Sequence, residues 1–557
     1  MYQLLTDALT RITGVDPQVT RPEVATFGDY ATPVALRLAK ERKQAPMAVA
    51  ADVAIEIQTD DELQGIVASV EVKSPGFLNI SLTQEAHQKA LEEMVSEGIT
   101  IPQVGKDQKI LLESLAANIA KVVHVGHLRN AVLGVALGRL FEATGHEVYR
   151  WNYLGDWGTQ IGKVMVAYKK WGNKEELEKD ALGGLLSLYV RFNKEAKEDE
   201  SLNDEARDAF RKLEEGDAEA RELWVWFRES SLGPLKAFCE RIGAAFDNWD
   251  GEAAYQEKLV GIIDLLSEKK LLVESEGAKI VDLTDENIPV AMIQKSDGGS
   301  LYLTRDLALL KDRFERFPDT RILYVVGNEQ ALNFQQLFAI GEKVGWPVQL
   351  AKHVKYGLLL DAEGKKLSTR DGGTVAATDV LDEASKRIAA IILERGDTLP
   401  LESIEAIGTG AVQYALLKDQ RTSDIPFDWD RLLDFRGDSG PYLQYTYARL
   451  SRIIEKYGEV KNVDLTKLVE DRELELIRLL DAFPRAVVRS VEELQTNHVA
   501  LYLNQLASSS NAYYQNMPIL NDEDTERVAA RVQLLLMVST VLKEGMHLLG
   551  IKTVERV

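Results

Sequence analysis

His124 and His127 are two of only seven histidines in the chain, and they lie three apart with Gly126 between them. They stand where the run ILLESLAANIAKVV gives way to an apolar helical stretch. A helix N-terminus offers unpaired backbone N–H groups and the positive end of the helix dipole, which suits phosphate. Gly126 lets a nucleotide approach the backbone. Imidazoles at i and i+3 point the same way and can donate to phosphoryl oxygens as charge builds. A second signal lies far down the chain, at Lys365-Lys366-Leu367-Ser368-Thr369-Arg370-Asp371-Gly372-Gly373. A basic, hydroxyl-bearing loop beside glycines suits a mobile clamp over phosphates. Read singly, these are equally two ordinary histidines and a solvated basic turn. Read together, on opposite halves of one α/β region, they point to nucleotide chemistry.

The elements that must position them follow from periodicity. Ile110-Leu111-Leu112 reads as a strand, His124-Val125-Gly126-His127 opens a helix running to about Thr144 with Gly145 as its cap, and HEVYRWNYL reads as the next strand. Strand, loop, helix, strand is a βαβ unit, and such units build parallel sheets. The sheet pattern is expected to resume at AKIVDL, AMIQKSDGGSLYLTRDLALL and RILYVVGNEQ. Residues from 165 to about 275 are rich in Glu, Lys, Ala and Leu and read as a helical insertion. Residues 1–105 are mixed, with GIVASVEVKSPGFLNISL reading as two strands around a Pro75-Gly76 turn. From about 376 the pattern is helical to residue 557.

Composition narrows the class. Hydrophobic residues make up 45% and charged residues 28% of 557, which excludes whole-chain disorder. The single cysteine, Cys239, excludes an intramolecular disulfide framework and a Cys-cluster zinc site. No apolar run approaches the roughly 18 residues of a membrane span, and MYQLLTDALTRITGVD reads as an amphipathic helix rather than a secretory signal. A cytoplasmic location and no membrane contact are expected. Sixty-six basic against 88 acidic residues give a net charge of -22, which argues against a histone-like nucleic-acid binder but not against a local basic face. Such a bias exists: residues 121–170 carry seven bases and three acids, whereas 173–222 carry nine bases and sixteen acids.

The two signals together resemble the class I aminoacyl-tRNA synthetases. His124-Val125-Gly126-His127 matches the first signature of that class, and Lys366-Leu367-Ser368-Thr369-Arg370 looks like a degenerate form of the second. The flanking text resembles the arginyl-tRNA synthetase family: AANIAKVVHVGHLRNAVLG (116–134), NYLGDWGTQIGK (152–163), SLYLTRDLA (300–308), YVVGNEQALNFQQLF (324–338), FRGDSGPYLQYTYAR (435–449) and HLLGI (547–551). Phe27-Gly28-Asp29-Tyr30-Ala31-Thr32 resembles a motif of that family's N-terminal domain.

The resemblance implies an α/β fold: a Rossmann-like parallel-sheet catalytic domain at 106–435 with a helical insertion at about 165–275, an N-terminal α+β tRNA-contacting domain at 1–105, and an all-helical anticodon-binding domain at 436–557. It implies ATP-dependent attachment of L-arginine to its tRNA through an arginyl-adenylate, with Mg²⁺ accompanying ATP and held by phosphates and water. Catalysis is assigned to His124, His127, Lys121, Lys366 and Arg370, and ATP binding to Val125, Gly126, His127, Gly327, Leu367 and Ser368. Glu113, Asn118, Tyr302, Asp306 and Gln330 match the arginine-binding positions; a guanidinium fork suits paired carboxylates. Asp29, Tyr30, Tyr445 and Tyr513 are assigned to tRNA. A monomer is expected, and removal of 436–557 is expected to leave the sheet foldable.

This sequence departs from the family pattern in three places. Leu115-Ala116-Ala117 stands where small hydroxylated residues and a proline are usual, Val122 where a proline is common, and Thr369 where the second signature has its second lysine. The last leaves open whether Lys121, Lys366 or Arg370 supplies the missing cation. A tRNA-independent nucleotidyltransferase and a non-catalytic synthetase relative are the rival readings. The long helical C-terminus argues against the first, and the intact His124, His127, Asn118, Asp306 and Gln330 against the second.

Overall fold

Four short strands that line up in parallel organise the middle of the chain. In a computed structural model of the protein, which describes residues 1–22, 27–177, 179–296, 302–361, 363–367, 375–461 and 463–556, they are Lys109–Glu113, Glu147–Trp151, Arg321–Gly327 and Ala351–Tyr356. Across the sheet the order is Ala351–Tyr356, Arg321–Gly327, Lys109–Glu113, Glu147–Trp151, and every pairing is parallel. Parallel strands covered on both faces read as unbroken apolar runs. Ile110, Leu111, Leu112, Ile322, Leu323, Tyr324 and Val325 are accordingly all buried. The chain goes from Lys109–Glu113 to the strand on one side and later returns on the other. The winding therefore reverses beside the end of that strand, the place where such sheets bind ligands.

The helix Val125–Ala143 makes the first crossover. It is apolar nearly all round, the mark of a buried helix, and it lies in a core shared by the sheet and the C-terminal helices. Two of its polar residues fasten what surrounds it. Asn130 accepts from the Leu115 N–H at 2.6 Å and donates to the Val325 carbonyl at 2.7 Å, tying the loop after one strand to the neighbouring strand. Arg129, 1% exposed, donates to the carbonyls of Gly357 (2.5 Å), Leu358 (3.0 Å), Arg421 (3.0 Å) and Ser423 (2.9 Å). Burial pushes its pKa down to about 10, so it stays charged at neutral pH with carbonyl dipoles in place of a carboxylate.

Thr159–Trp171, Ala181–Glu195, Ser201–Glu214 and Ala218–Arg241 follow the second strand as a group of helices. Two stretches expected to resume the parallel sheet do otherwise. Ala278–Val281 and Ala291–Gln294 join Leu272–Ser275 in a separate antiparallel sheet. SLYLTRDLALL becomes, from Tyr302 onward, the helix Tyr302–Arg316. Its apolar residues Leu303, Leu307 and Leu310 fall at helical spacing and make one buried stripe, which outweighs the local look of a strand.

At the N-terminus, helices pack on a three-stranded antiparallel sheet and enclose a core of their own. Within that sheet Val67–Lys73 and Phe77–Leu82 flank the expected Pro75-Gly76 turn. At the other end Ala377–Glu394, Leu401–Leu417, Gly440–Tyr457, Asp471–Glu493, Asn497–Asn516 and Thr525–Leu548 form the helical bundle.

Arg129→Met keeps an apolar stem of similar length and strips four carbonyls of their donor. The catalytic region should lose about 2–4 kcal/mol in urea unfolding. A loss below about 0.5 kcal/mol would show that the clamp does not stabilise the fold.

Candidate active site

The histidine signature closes a capping box at the start of Val125–Ala143. His124 Nδ1 accepts from the N–H groups of Gly126 (3.1 Å) and His127 (3.4 Å), and His127 Nδ1 accepts from the His124 N–H (3.3 Å). The two rings stack with centroids 3.7 Å apart and 21° between planes. Gly126 is needed for this cap, since a Cβ there would lie 2.9 Å from His124 Cε1. The remaining first-turn amides are also engaged: Val125 N–H donates to Val375 O (3.1 Å) and Leu128 N–H to His124 O (3.0 Å). The expectation that free helix amides would meet phosphate is therefore corrected.

An Nδ1 that accepts from an amide carries no proton, so each neutral ring carries its proton on Nε2. Burial pushes His127 down to about 3, reinforced by His124 and Lys121. Burial also lowers His124, with Lys366 and Lys121 reinforcing and Glu329 opposing. Two neutral Nε2–H donors at neutral pH are the chemical output of the signature.

The basic loop is anchored at both ends beside them. Leu367 N–H donates to Leu359 O and Asp361 N–H to Lys365 O, each at 2.8 Å. Arg129 holds the foot of this hairpin through Gly357 and Leu358. On the far side Ala376 pairs with His124, and Ala377 N–H donates to Val123 O at 2.8 Å. Lys366 is exposed. Ser368, Thr369 and Arg370 lie outside the described residues. Lys121 places its ammonium 5.1 Å from the centroid of the Tyr189 ring. Gly327, buried at the end of its strand, passes into the turn Asn328–Gln330, where Gln330 is exposed.

Between Glu113 and Lys121 the backbone is strained. Leu115, Ala116 and Ala120 have φ values of 75°, 46° and 56°, a region non-glycine residues rarely occupy outside functional sites. The loop is held there by the helices of the insertion: Ile119 and Ala120 are buried among them, and Ala120 N–H donates to Ser231 Oγ at 3.0 Å. Asn118 Oδ1 accepts from Gln160 at 3.2 Å.

Beside this loop a buried polar cluster, the polar pocket of this site, gathers three carboxylates and two guanidiniums. Glu113 is ion-paired with Arg313 at 2.5 Å, and Glu252 faces Arg305 at 3.6 Å. Asp306, one turn along from the exposed Tyr302, makes no ion pair among the described residues; it accepts from Asn333 at 2.8 Å. Burial pushes Glu252 up to about 8, opposed by Arg305 and reinforced by Asp306 and Asp156. Burial likewise pushes Asp306 up to about 6, against the Asn333 hydrogen bond, with Glu113 repelling and Arg305 and Arg313 attracting. The Tyr153 hydroxyl, buried in the field of Asp306, Glu252 and Glu113, has no hydrogen-bond partner among the described residues. The pocket is one cation short, and a ligand with several N–H donors fits it. Sequence reasoning missed Glu252, Arg305 and Arg313. Arg305 lies inside a motif, whereas nothing local marks Glu252 or Arg313.

Of the residues expected to meet nucleic acid, Asp29 and Tyr513 are placed elsewhere. Asp29 is 6% exposed, accepts from Leu82 N–H at 2.6 Å and is paired with His87 and Arg478. Tyr30 donates to Asp481 at 2.5 Å, so both residues join the N-terminal region to Asp471–Glu493. Tyr513 is 0% exposed and its hydroxyl donates to Glu473 at 3.2 Å, so its ring has no face to offer. Its neighbour Tyr514 is 39% exposed. The Arg449 guanidinium lies 5.3 Å from the Tyr514 ring and 4.7 Å from that of Tyr445. With Arg452 and Lys456 these line a cavity of about 570 Å³.

Comparison with known proteins agrees with this geometry. The family model for the catalytic domain of class I (R) tRNA synthetases matches residues 90–429, that for the DALR anticodon binding domain 443–557, and that for the arginyl tRNA synthetase N terminal domain 1–82. The chain is 38% identical over 561 residues to the arginine–tRNA ligase of an Exiguobacterium species, covering 99% of this chain and 98% of the relative. It is 40% identical over 542 residues to that of Clostridium acetobutylicum, covering 96% and 95%. The solved arginyl-tRNA synthetase of Thermus thermophilus matches with a TM-score of 0.82 at 25% identity over 100% of both chains. That of Plasmodium falciparum shares the fold, with a TM-score of 0.83 at 24% identity over 100% of this chain and 98% of that one.

The capping box fixes an observable. At neutral pH, ¹⁵N spectra of His124 and His127 should show protonated Nε2 and unprotonated Nδ1 for both rings. A proton on either Nδ1, or titration of His127 near the ordinary histidine range, would show that the box does not persist in solution.

Proposed function

The chain belongs to the class I arginyl-tRNA synthetase family and, on that premise, we propose how its residues divide the work of attaching arginine to its tRNA. The activity is that of an arginine–tRNA ligase with ATP as substrate. An oxygen of the arginine carboxylate attacks the α-phosphorus of ATP, the bond to the bridging oxygen breaks, and pyrophosphate leaves. The terminal adenosine hydroxyl of the tRNA then attacks the carbonyl carbon of the adenylate and AMP leaves. No protein nucleophile is needed; the site works by positioning and by stabilising phosphoryl charge.

His124 and His127 donate through Nε2–H to phosphate oxygens on which charge grows. Being neutral, they gain strength as the transition state becomes more negative and need no proton uptake. Val125 and Gly126 carry the signature backbone beside the adenine nucleotide, Gly327 and Leu367 line its opposite side, and Ser368, outside the described residues, keeps its assignment to ATP. Lys121 and Lys366, which both act on the field at His124, supply the cations toward pyrophosphate together with Arg370. Mg²⁺ bound to ATP would add further neutralisation of phosphate charge. No cluster of three metal-ligating side chains stands among the described residues, so phosphates and water would provide its ligands.

The pocket that is one cation short carries the assignment of arginine. Asp306 receives the guanidinium, with Glu113 and Glu252 flanking it, Tyr302 covering it, and Asn118 and Gln330 toward the α-amino and carboxylate end. The Tyr445–Arg449–Tyr514 group, with Arg452 and Lys456, provides stacking faces and local positive charge for unpaired anticodon bases. Tyr445 thereby keeps the role proposed for it, and Tyr514 takes the one first given to Tyr513. The protein acts as a monomer in the cytoplasm. In support, large exposed apolar side chains such as Ile55, Val260 and Leu393 sit on separate helices. No helix among the described residues is long and apolar enough to cross a membrane.

Proton linkage tests the arginine assignment. A guanidinium binds the ionised carboxylates and competes with protons. Affinity should be full above about 8, the raised value of Glu252, and should be lost as pH falls through about 6, that of Asp306. The arginine KM in ATP–pyrophosphate exchange should rise over that range while the ATP KM does not follow. Asp306→Asn should raise the arginine KM about tenfold to a hundredfold, the scale of a charged hydrogen bond. An arginine KM indifferent to both would defeat the assignment.

At the RNA end, Arg449→Ala should weaken tRNA binding by about 1–3 kcal/mol at fixed salt, measured by filter binding. Unchanged affinity would show that the bases are read elsewhere.

A further inference from the structure

One row of buried side chains crosses the sheet beside the charged cluster of Glu113, Glu252 and Asp306. Glu113 is in register with Trp151 on one neighbouring strand and with Tyr324 on the other. In-register neighbours of a parallel sheet project from the same face. Over this row lies Arg313, delivered by the helix Tyr302–Arg316 from the same face as Asp306, seven residues earlier. Its side chain is 0% exposed. The guanidinium lies 4.7 Å from the Trp151 ring and 5.0 Å from the Tyr324 ring, and Nη2 donates to Glu113 Oε2 at 2.5 Å. A flat cation between two aromatic faces, paired to a carboxylate, can turn very little.

This arrangement differs from that of the other large buried arginine nearby. Arg129 gives its two terminal nitrogens to four backbone carbonyls and fastens chain to chain. Arg313 instead gives its ion pair to a carboxylate of the ligand pocket. It thus partners one of the three carboxylates there, as Arg305 does for Glu252. Asp306 is left as the carboxylate without an ion pair among the described residues.

We propose that Arg313 is a positioning and specificity residue for arginine: by neutralising and orienting Glu113 it sets the pocket to accept one added guanidinium, at Asp306. The substrate's cation then completes a set that the protein has filled with its own guanidiniums at the other two carboxylates. A neutral side chain of similar shape would leave the deficit uncorrected, and an ammonium would meet it without the fork. Arg313 touches no reacting atom. Its influence passes through Glu113, and it rests on the reading that Asp306 and Glu113 hold the substrate guanidinium.

The test is ATP–pyrophosphate exchange by the full-length enzyme, with tRNA present, for Arg313→Met, Arg313→Lys, Glu113→Gln, the Arg313→Met/Glu113→Gln pair and Asp306→Asn. Arg313→Met should raise the arginine KM about tenfold or more, with kcat and the ATP KM within about threefold. Arg313→Met uncovers a surplus negative charge, so Glu113→Gln in that background should add no further loss or should recover part of it. Arg313→Lys, which keeps the charge but not the fork, should raise the arginine KM by at least about threefold. An arginine KM within about threefold of the parent in folded Arg313→Met, or fully additive losses in the pair, would overturn the proposal and leave Arg313 as packing. Should Arg313→Met fail to fold, Arg313→Lys decides: an unchanged arginine KM overturns the proposal. Asp306→Asn separates the two claims. If it raises the arginine KM while the Arg313 variants are silent, only the positioning role fails; if it too is silent, the pocket reading fails.

Discussion

A largely buried helix has to find partners for its first amides, and here two histidines supply most of them. The helix Val125–Ala143 lies between the parallel sheet and the C-terminal bundle, and its N-terminus, at the half-buried His124, Gly126 and His127, is only partly open to water. Unpaired donors there would cost about 1–3 kcal/mol each. His124 and His127 close the box on each other's amides and, in doing so, surrender both Nδ1 atoms. The structural demand thereby fixes the chemical state. Each ring is left neutral with one N–H on Nε2, and the same burial that requires the cap keeps the rings from protonating. The glycine between them serves the cap as much as any ligand.

The polar pocket obeys the opposite logic. There the protein leaves a charge deliberately unbalanced. Burying a carboxylate is costly, and the cost appears as the upward displacement of the unpaired Asp306 and of Glu252, which faces Arg305. Protons reduce that cost; on the proposed assignment, the guanidinium of the substrate takes their place. Backbone strain lies close by, at Leu115, Ala116 and Ala120, in the loop that leads from Glu113 past Asn118 to Lys121. Anchorage of that loop in the insertion, through Ile119, Ala120 and Ser231, supplies what holds it in so unfavourable a conformation.

How much of this was legible in the sequence depended on how local each signal was. The histidine pair could be placed at a helix start because its spacing and the apolar run after it are contiguous. Tyr302 and Asp306 were identified by resemblance, yet the stretch carrying them was read as sheet. Its leucines look extended over four residues and helical only over eight or more. Arg313 was invisible for a different reason. Its partners come from three strands whose alignment is a property of the assembled sheet. Tyr513 and Tyr514 show the same limit on a smaller scale: adjacent helix residues point about 100° apart, and sequence alone did not say which one faces the core. Asp29 was read by motif as a contact for RNA, whereas its carboxylate is consumed by Leu82, His87 and Arg478 at the seam between the two ends of the chain.

The sharing of one core sets how far the parts can be separated. The apolar cluster around Val125–Ala143 runs without a break from Ile110 on the first strand of the sheet to Val554 beyond the last helix. The N-terminal region, by contrast, closes a core of its own. Removing residues 436–557 would therefore not leave a finished sheet domain. It would uncover the face of Val125–Ala143 that packs on Asp471–Glu493 and Thr525–Leu548. The expectation that such a fragment stays foldable assumed that the anticodon-side helices are appended to the catalytic sheet. They complete its core instead, so the end that reads RNA and the end that activates arginine share one packed interior, close to incompressible on the scale of a side chain.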